Sequence, residues 1–193
     1  MLALIGNFAL FLSLFFAIFQ VIGFNKNNIS SLKNFNKITI NGLLLSSSFS
    51  FLVLMYSYIV SDFSVLNVFQ NSHTTKPLIY KISAVWGNHE GSMLLWILVL
   101  TIFNFFIYSL YNKNNSFLIS KTLEIQSLIV TGFILFTILT SNPFQKIIPT
   151  PSDGLGFNPI LQDPALAIHP PLLYIGDVGF SAAFSIGVAV LSL

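Results

Sequence analysis

Residues 2–24 read LALIGNFALFLSLFFAIFQVIGF, an apolar stretch without a single charged side chain. A helix needs about 20 apolar residues to cross the ~30 Å hydrocarbon core of a bilayer, so this stretch alone predicts a membrane-spanning helix. No Lys or Arg precedes it, whereas a secretory signal peptide begins with a basic region. We therefore expect a retained membrane anchor.

Four further apolar stretches are long enough to cross the bilayer: Ile38 to Val60, Ser92 to Tyr111, Leu123 to Thr140, and Leu172 to Leu193. The whole chain of 193 residues is 54% hydrophobic and only 7% charged, a composition that excludes a water-soluble domain. The alternation of polar and apolar residues that barrel strands require is absent. The sequence predicts one all-α integral membrane domain over residues 1–193, with about five transmembrane helices.

The lysines predict how the chain is oriented. The connections 25–37 and 112–122 carry Lys and no acidic residue, which is typical of loops on the inner side of a membrane. The long connections 61–91 and 141–171 also carry Asp or Glu and are predicted to lie outside. The N-terminus is then outside, in the intermembrane space of a mitochondrion, and the C-terminus in the matrix. His73, His89 and His169 all fall on the outer side.

The composition also bears on compartment and cofactor chemistry. All eight cations are Lys, a bias typical of an A/T-rich genome, and we hypothesise an organellar one. The expected location is the mitochondrial inner membrane, with a bacterial plasma membrane as the alternative. The chain has no Cys, so a metal or haem group must be held by His. No Gly-rich phosphate loop or basic patch supports a nucleotide or nucleic-acid partner.

Residues 161–174, LQDPALAIHPPLLY, place an imidazole before two prolines. Pro170 biases His169 toward an extended backbone, and Pro170 with Pro171 can open a helix because its first positions need no amide donor. This pattern predicts a metal ligand fixed at the membrane surface. The alternative interpretation is a polar cap on a membrane helix.

Residues 86–96, WGNHEGSMLLW, form the second unusual stretch. If it is helical, Trp86, His89, Met93 and Trp96 share one face with Glu90 beside it, an aromatic wall suited to a planar ligand. The alternative is an interfacial aromatic belt with a capping His89–Glu90 pair. A zinc hydrolase is disfavoured because no second His follows four residues later.

These two stretches, the first of which extends to NPILQDPALAIHPPLLYIGDVGF at 158–180, resemble CcmF, the membrane core of the system I cytochrome c haem lyase family. IGNFAL and FTILTSNPF occur in the family's order as well, so the resemblance covers nearly the whole chain. It implies a subunit that receives haem b from the carrier CcmE and helps attach it through thioether bonds to the CXXCH thiols of apocytochrome c, which a CcmH-type protein presents. The family's external histidines are axial haem ligands, and the matching position here is His169.

The sequence departs from this family in two respects. Bacterial members tend to have Gly-Tyr-Val where this chain has Gly176-Asp177-Val178. The version with aspartate is similar to mitochondrial members. The Trp-rich WWD segment and the family's remaining histidines are absent. The chain thus resembles the N-terminal piece of a split mitochondrial CcmF, and the resemblance implies a C-terminal CcmF piece that carries the WWD segment as its partner. The present chain would supply one axial ligand and would not be active alone.

The other candidate site residues are predicted to line the haem pocket or to brace the loops around it: Trp86, His89, Glu90, Trp96, Pro170, Pro171, Tyr174 and Asp177. Asp177 has either a functional role or that of an anion at the start of a helix. No catalytic residue is assigned. A structural assembly subunit that does not contact haem remains open. A proton-translocating respiratory subunit is disfavoured, since no Lys lies in mid-helix.

Overall fold

The computed structural model describes residues 1–25, 32–114, 117–156 and 163–192. The described residues form seven helices and no β-strand: α1 (Leu2–Asn25), α2 (Leu32–Ile59), α3 (Leu66–Asn71), α4 (Leu78–Ala84), α5 (His89–Asn114), α6 (Phe117–Thr140) and α7 (Pro164–Leu191). Five of them, α1, α2, α5, α6 and α7, are long and apolar enough to cross a membrane. The predicted all-α membrane fold with five spanning helices is confirmed.

The helix boundaries differ from the predicted ones mainly at their starts. Leu2–Phe24 agrees with the prediction, but α6 begins at Phe117 rather than Leu123. Two charged residues near this start, Lys121 and Glu124, lie one turn apart and pair at 2.8 Å. Because each charge is neutralised within the helix, α6 continues through them.

Four helices form a ring, in which α1 packs against α2 and α6, and α5 packs against the same two helices. Helix α7 lies outside this ring against α5 and α6. Lipid tails are as apolar as Leu, so close packing and interhelical hydrogen bonds hold membrane helices together. Ser13 donates to Ser46 at 2.8 Å between α1 and α2, and Ser47 pairs with Thr101 at 3.0 Å between α2 and α5.

Two glutamines connect the remaining helices. The Gln20 Oε1 atom accepts hydrogen bonds from Asn104 Nδ2 at 2.6 Å and from Ser127 Oγ at 3.1 Å, joining α1 to α5 and α6. Gln126 on α6 bonds Ser181 at 2.9 Å and Ser185 at 2.7 Å on α7. The contacts of α2 with α1 and α5, of α1 with α6, and of α7 with α6 therefore each include a polar bond.

The two long connections meet at one end of the bundle, and we call residues 60–88 and 141–156 the cap. Val65 and Lys146 form an isolated β-bridge, flanked by Leu66 N donating to the Gln145 carbonyl at 2.8 Å. Helices α3 and α4 within the cap were not predicted, because short helices stabilised by tertiary contacts lack the periodicity of a long one. Phe144 packs on α1 at Gly6, where any side chain would overlap its ring.

The cap end carries all three histidines, as the sequence predicted for one side of the membrane. Which side this is stays a prediction. Lys26 and residues 157–162 lie outside the described residues, as do the side chains of Lys33 and Lys113.

Candidate functional site

Helix α7 begins six residues before Pro170, the start that the prolines suggested. It starts at Pro164 and contains Pro170 and Pro171 within it, so the prediction that these prolines open the helix is wrong. The Asp163 carboxylate accepts the Ala165 amide at 2.7 Å, and Pro164 occupies a first position that needs no donor. His169 is therefore a helical residue in the second turn of α7, not part of an extended junction.

The prolines free a backbone acceptor that Trp86 then occupies. In a regular helix the amide of residue 171 would donate to the carbonyl of Ala167, but proline has no amide hydrogen. The indole Nε1 of Trp86 donates to this Ala167 carbonyl at 2.8 Å. Trp86 thus joins the cap to α7 two residues before His169, and it contacts the buried core as well.

We expect Trp86→Phe to lower the free energy of unfolding by about 1–2 kcal/mol, since it leaves the part-buried Ala167 carbonyl without its donor. Pro171→Ala restores a backbone donor to that carbonyl, so Trp86→Phe should cost less in a Pro171→Ala background. Unfolding of the four proteins in detergent, titrated with SDS, gives the coupling between the two positions. Strictly additive effects would contradict the assigned bond.

His169 points away from the bundle. Its side chain is exposed, and among the described residues its ring has no hydrogen-bond or ion-pair partner. Leu172 and Leu173, one turn further along the same face, are 63% and 46% exposed. The site therefore offers an imidazole beside an apolar helix surface.

Asp177 lies on this outward face too and is exposed. Because α7 begins at Pro164 and has no acidic residue in its first turn, the prediction of a helix-start anion at Asp177 is wrong. Asp163 fills that role instead.

The other two histidines are already engaged. His89 Nε2 lies 2.9 Å from Ser141 Oγ, which connects the start of α5 to the end of α6. His73 Nε2 lies 3.2 Å from the Asp153 carboxylate. The Thr74 hydroxyl bond, the Gly154 and Thr74 amides and the His73 charge hold the pKa of Asp153 below its usual value, in that order of effect. Both histidines brace the cap.

A buried lysine stabilises the cap. Lys76 is only 8% exposed, and its ammonium donates to the Asn71 carbonyl at 3.2 Å. Burial, and then the nearby Lys81 charge, lower the pKa of Lys76 to about 8.

The predicted aromatic wall is divided between two places. Helix α5 begins at His89, so Trp86 lies in the preceding turn and does not share a helical face with Met93 and Trp96. The Trp96 ring stacks on Phe133 of α6 at 5.4 Å and contacts Tyr174 of α7 at 5.5 Å. Trp96 and Tyr174 therefore hold α7 against α5 and α6. Met93 is 8% exposed and belongs to the buried core.

Glu90 belongs to a polar network with three residues that the sequence analysis did not select. Asn67 Nδ2 donates to Asn88 Oδ1 at 2.7 Å and to Glu90 Oε2 at 3.2 Å. The Tyr58 hydroxyl donates to Asn67 Oδ1 at 2.6 Å and accepts from Asn88 Nδ2 at 3.0 Å. The network joins the end of α2, the start of α3 and the end of α4 to the start of α5, next to the turn that carries Trp86.

An apolar groove of about 490 Å³ opens on α5 and α6. Phe133, which stacks on Trp96, forms part of its wall, and the lining is completed by Met93, Ile129, Gly132 and Phe136. In the described ranges, no three His, Asp or Glu side chains come close enough to hold a metal ion together.

The comparisons with known proteins cover both sequence stretches that form this site. The family of cytochrome c assembly proteins matches residues 86–193, which include both Trp86 and His169. The chain belongs to this family. The resemblance of the sequence to CcmF is thereby confirmed.

Bacterial members of the family are similar over nearly the full chain. The cytochrome c-type biogenesis protein CycK of Rhizobium meliloti is 48% identical over 192 residues, which cover 97% of this chain and 28% of CycK. CcmF of Haemophilus influenzae is 44% identical over 196 residues, covering 99% and 30% of the two chains. The chain therefore spans less than a third of the length of these relatives.

A solved structure shares the fold. The cytochrome c heme lyase CcmF superposes with a TM-score of 0.82 at 24% sequence identity, covering all of this chain and 31% of that one. The five spanning helices and the cap thus correspond to 31% of that solved chain.

Proposed function

We propose that this chain is a subunit of a membrane haem lyase that matures c-type cytochromes, and that His169 is one external axial ligand of the haem. The observation that carries the proposal is the state of His169: an exposed imidazole without a partner among the described residues, in the matched family segment. His89 and His73 are engaged with Ser141 and Asp153. His169 is therefore the histidine best suited to ligate iron.

The neighbouring residues suit this role. A neutral imidazole binds iron through one ring nitrogen, and the other nitrogen is free to donate to a partner subunit or water. Leu172 and Leu173 provide exposed apolar surface for the porphyrin. Trp86 and Asp163 fix the start of α7, so the imidazole is positioned by a helix held at two points.

The haem, its second axial ligand and the apocytochrome would come from outside this chain. Haem b is the substrate, and its chemistry is the addition of protein thiols to its vinyl groups. We propose that a C-terminal CcmF piece with the WWD segment supplies the second axial ligand, that CcmE delivers haem, and that a CcmH-type protein presents apocytochrome c. The proposed location is the mitochondrial inner membrane; the similar proteins from bacteria keep the bacterial plasma membrane as the alternative.

A second candidate function is a purely structural subunit of the same assembly. A scaffold requires contacts within the protein. Such contacts are made by His73, His89, Trp86 and Trp96. Haem binding and scaffolding differ in what happens when His169 is removed.

We expect His169→Ala to reduce haem in the purified complex about tenfold or more, because one axial bond is lost while the fold is unchanged. Haem occupancy is read from the Soret absorbance per complex, and cytochrome c maturation from haem-stained c-type cytochromes in membranes. For His169→Gly, added imidazole should restore occupancy by replacing the missing ring.

His73→Ala is the matched control, since it removes an imidazole at the same end of the bundle and should retain haem. Unchanged occupancy and maturation in His169→Ala would contradict the ligand role and favour the scaffold.

A further inference from the structure

Helix α7 presents a largely uncovered face to its surroundings. Of the residues in its most apolar window, 17% are buried inside the protein, against 33–56% for the other four spans. Its exposed apolar side chains include Phe180 at 74% and Phe184 at 61%. Exposure to lipid alone would account for these apolar residues, so a partner must be argued from something else.

Asp177 is that further observation. It lies near the middle of the span Ala167–Leu191, it is exposed, and it has no hydrogen-bond or ion-pair partner among the described residues. A carboxylate facing lipid at this depth is strongly unfavourable, and such groups in membrane proteins pair or face a polar cavity. Asp177 therefore requires a donor from outside the described chain.

The face around Asp177 also permits close approach. At Gly176 and Gly187 no neighbouring atom lies within 4 Å of where a Cβ would stand. Small residues on a membrane helix let a second helix backbone come close enough for dense packing and hydrogen bonds. The bundle itself covers Gly179, which faces Phe103, and the open positions lie about 60–80° around the helix from this contact.

We propose that this outward face of α7, around Gly176, Asp177 and Phe180, packs against a transmembrane helix of the assembly that is not part of these residues, and that this helix carries a cationic or amide donor at the depth of Asp177. The chain spans 28% of the length of CycK, so most of that relative lies outside the matched portion and is long enough to supply such a helix. A second copy of this chain fits poorly. Its Lys residues lie in loops or near helix ends, and Lys121 is paired with Glu124.

Photo-crosslinking in the assembled complex tests the surface. A benzophenone amino acid placed at Phe180, which is 74% exposed, should crosslink to another polypeptide in native membranes. Phe8 on α1 is the matched control, since it is also a phenylalanine within a span and is 70% exposed. The Phe180 adduct should exceed the Phe8 adduct at least fivefold. Equal yields, or an adduct only with a second copy, would overturn the proposal.

Substitution of Asp177 tests the donor, because a partner helix and lipid predict opposite changes in co-purification. If the helix partner donates to Asp177, Asp177→Leu lowers co-purification of the partner several-fold and Asp177→Asn lowers it less. If the face meets only lipid, Asp177→Leu removes a cost and leaves co-purification unchanged or higher, which would contradict the proposal. The crosslink needs no haem, so it should persist in His169→Ala, and a failure of either proposal is read separately.

Discussion

Replacing Gly91 by alanine is expected to prevent the protein from reaching its native fold. A Cβ at Gly91, the third residue of α5, would overlap the carbonyl oxygen of Val85, which is backbone and cannot rotate away. Moving the 85–88 turn would also break the bond from the Gly91 amide to Asn88 Oδ1 at 2.9 Å. We expect a loss of about 3 kcal/mol or more, measured as the yield of monodisperse protein and its midpoint of SDS unfolding.

Gly132→Ala is the control for this substitution. Gly132 is also a glycine inside a spanning helix, but no atom lies within 4 Å of the position of its Cβ. Since alanine favours helix over glycine by up to about 1 kcal/mol, Gly132→Ala should be neutral or slightly stabilising. Similar behaviour of the two variants would mean that the close approach of α5 to the preceding turn is not required.

Asn88→Ala is expected to have the second-largest effect, because this side chain connects most of the polar network. Its Oδ1 accepts from Asn67 Nδ2 and the Gly91 amide, and its Nδ2 donates to the Tyr58 hydroxyl and to the Ala84 carbonyl. Removing it leaves several part-buried groups unpaired at once, at a cost of about 2–4 kcal/mol. SDS unfolding reports this loss, and limited proteolysis should cut the cap faster.

Asn41→Ala provides the comparison. The Asn41 amide makes a single bond, to the Lys37 carbonyl at 2.9 Å on an exposed part of α2, so its removal should cost less than about 0.5 kcal/mol. If Asn88→Ala cost no more than Asn41→Ala, the network would not stabilise the start of α5.

The spanning helices could be predicted because their signal is local. Twenty or so consecutive apolar residues decide for a helix in lipid, whatever packs against them, since the backbone must satisfy its own hydrogen bonds there. The boundaries were less predictable. Charges at Lys121 and Glu124 neutralise each other within α6, and Asp163 caps α7 ahead of its prolines. Both effects depend on specific side-chain bonds, which a hydropathy pattern does not contain.

The candidate site was predicted in part. The sequence selected His169, Trp86, His89 and Glu90 as one region, and the structure places all four at the cap end. It did not select Tyr58, Asn67 or Asn88, whose hydrogen bonds join helices that are distant in the chain. Asn88 stands within WGNHEGS, but an asparagine before a helix is also a common turn residue. Its neighbours alone therefore do not distinguish a turn residue from a member of the polar network.

The sequence by itself determined that this is a helical membrane protein and which segments span, because burial in lipid depends on the composition of each segment. Only the tertiary structure decided which histidine is left without a partner, that Trp86 occupies the carbonyl released by Pro171, and that Asp177 faces outward from α7. These outcomes depend on which side of each helix meets its neighbours. Helix packing sets that choice through contacts between residues far apart in sequence.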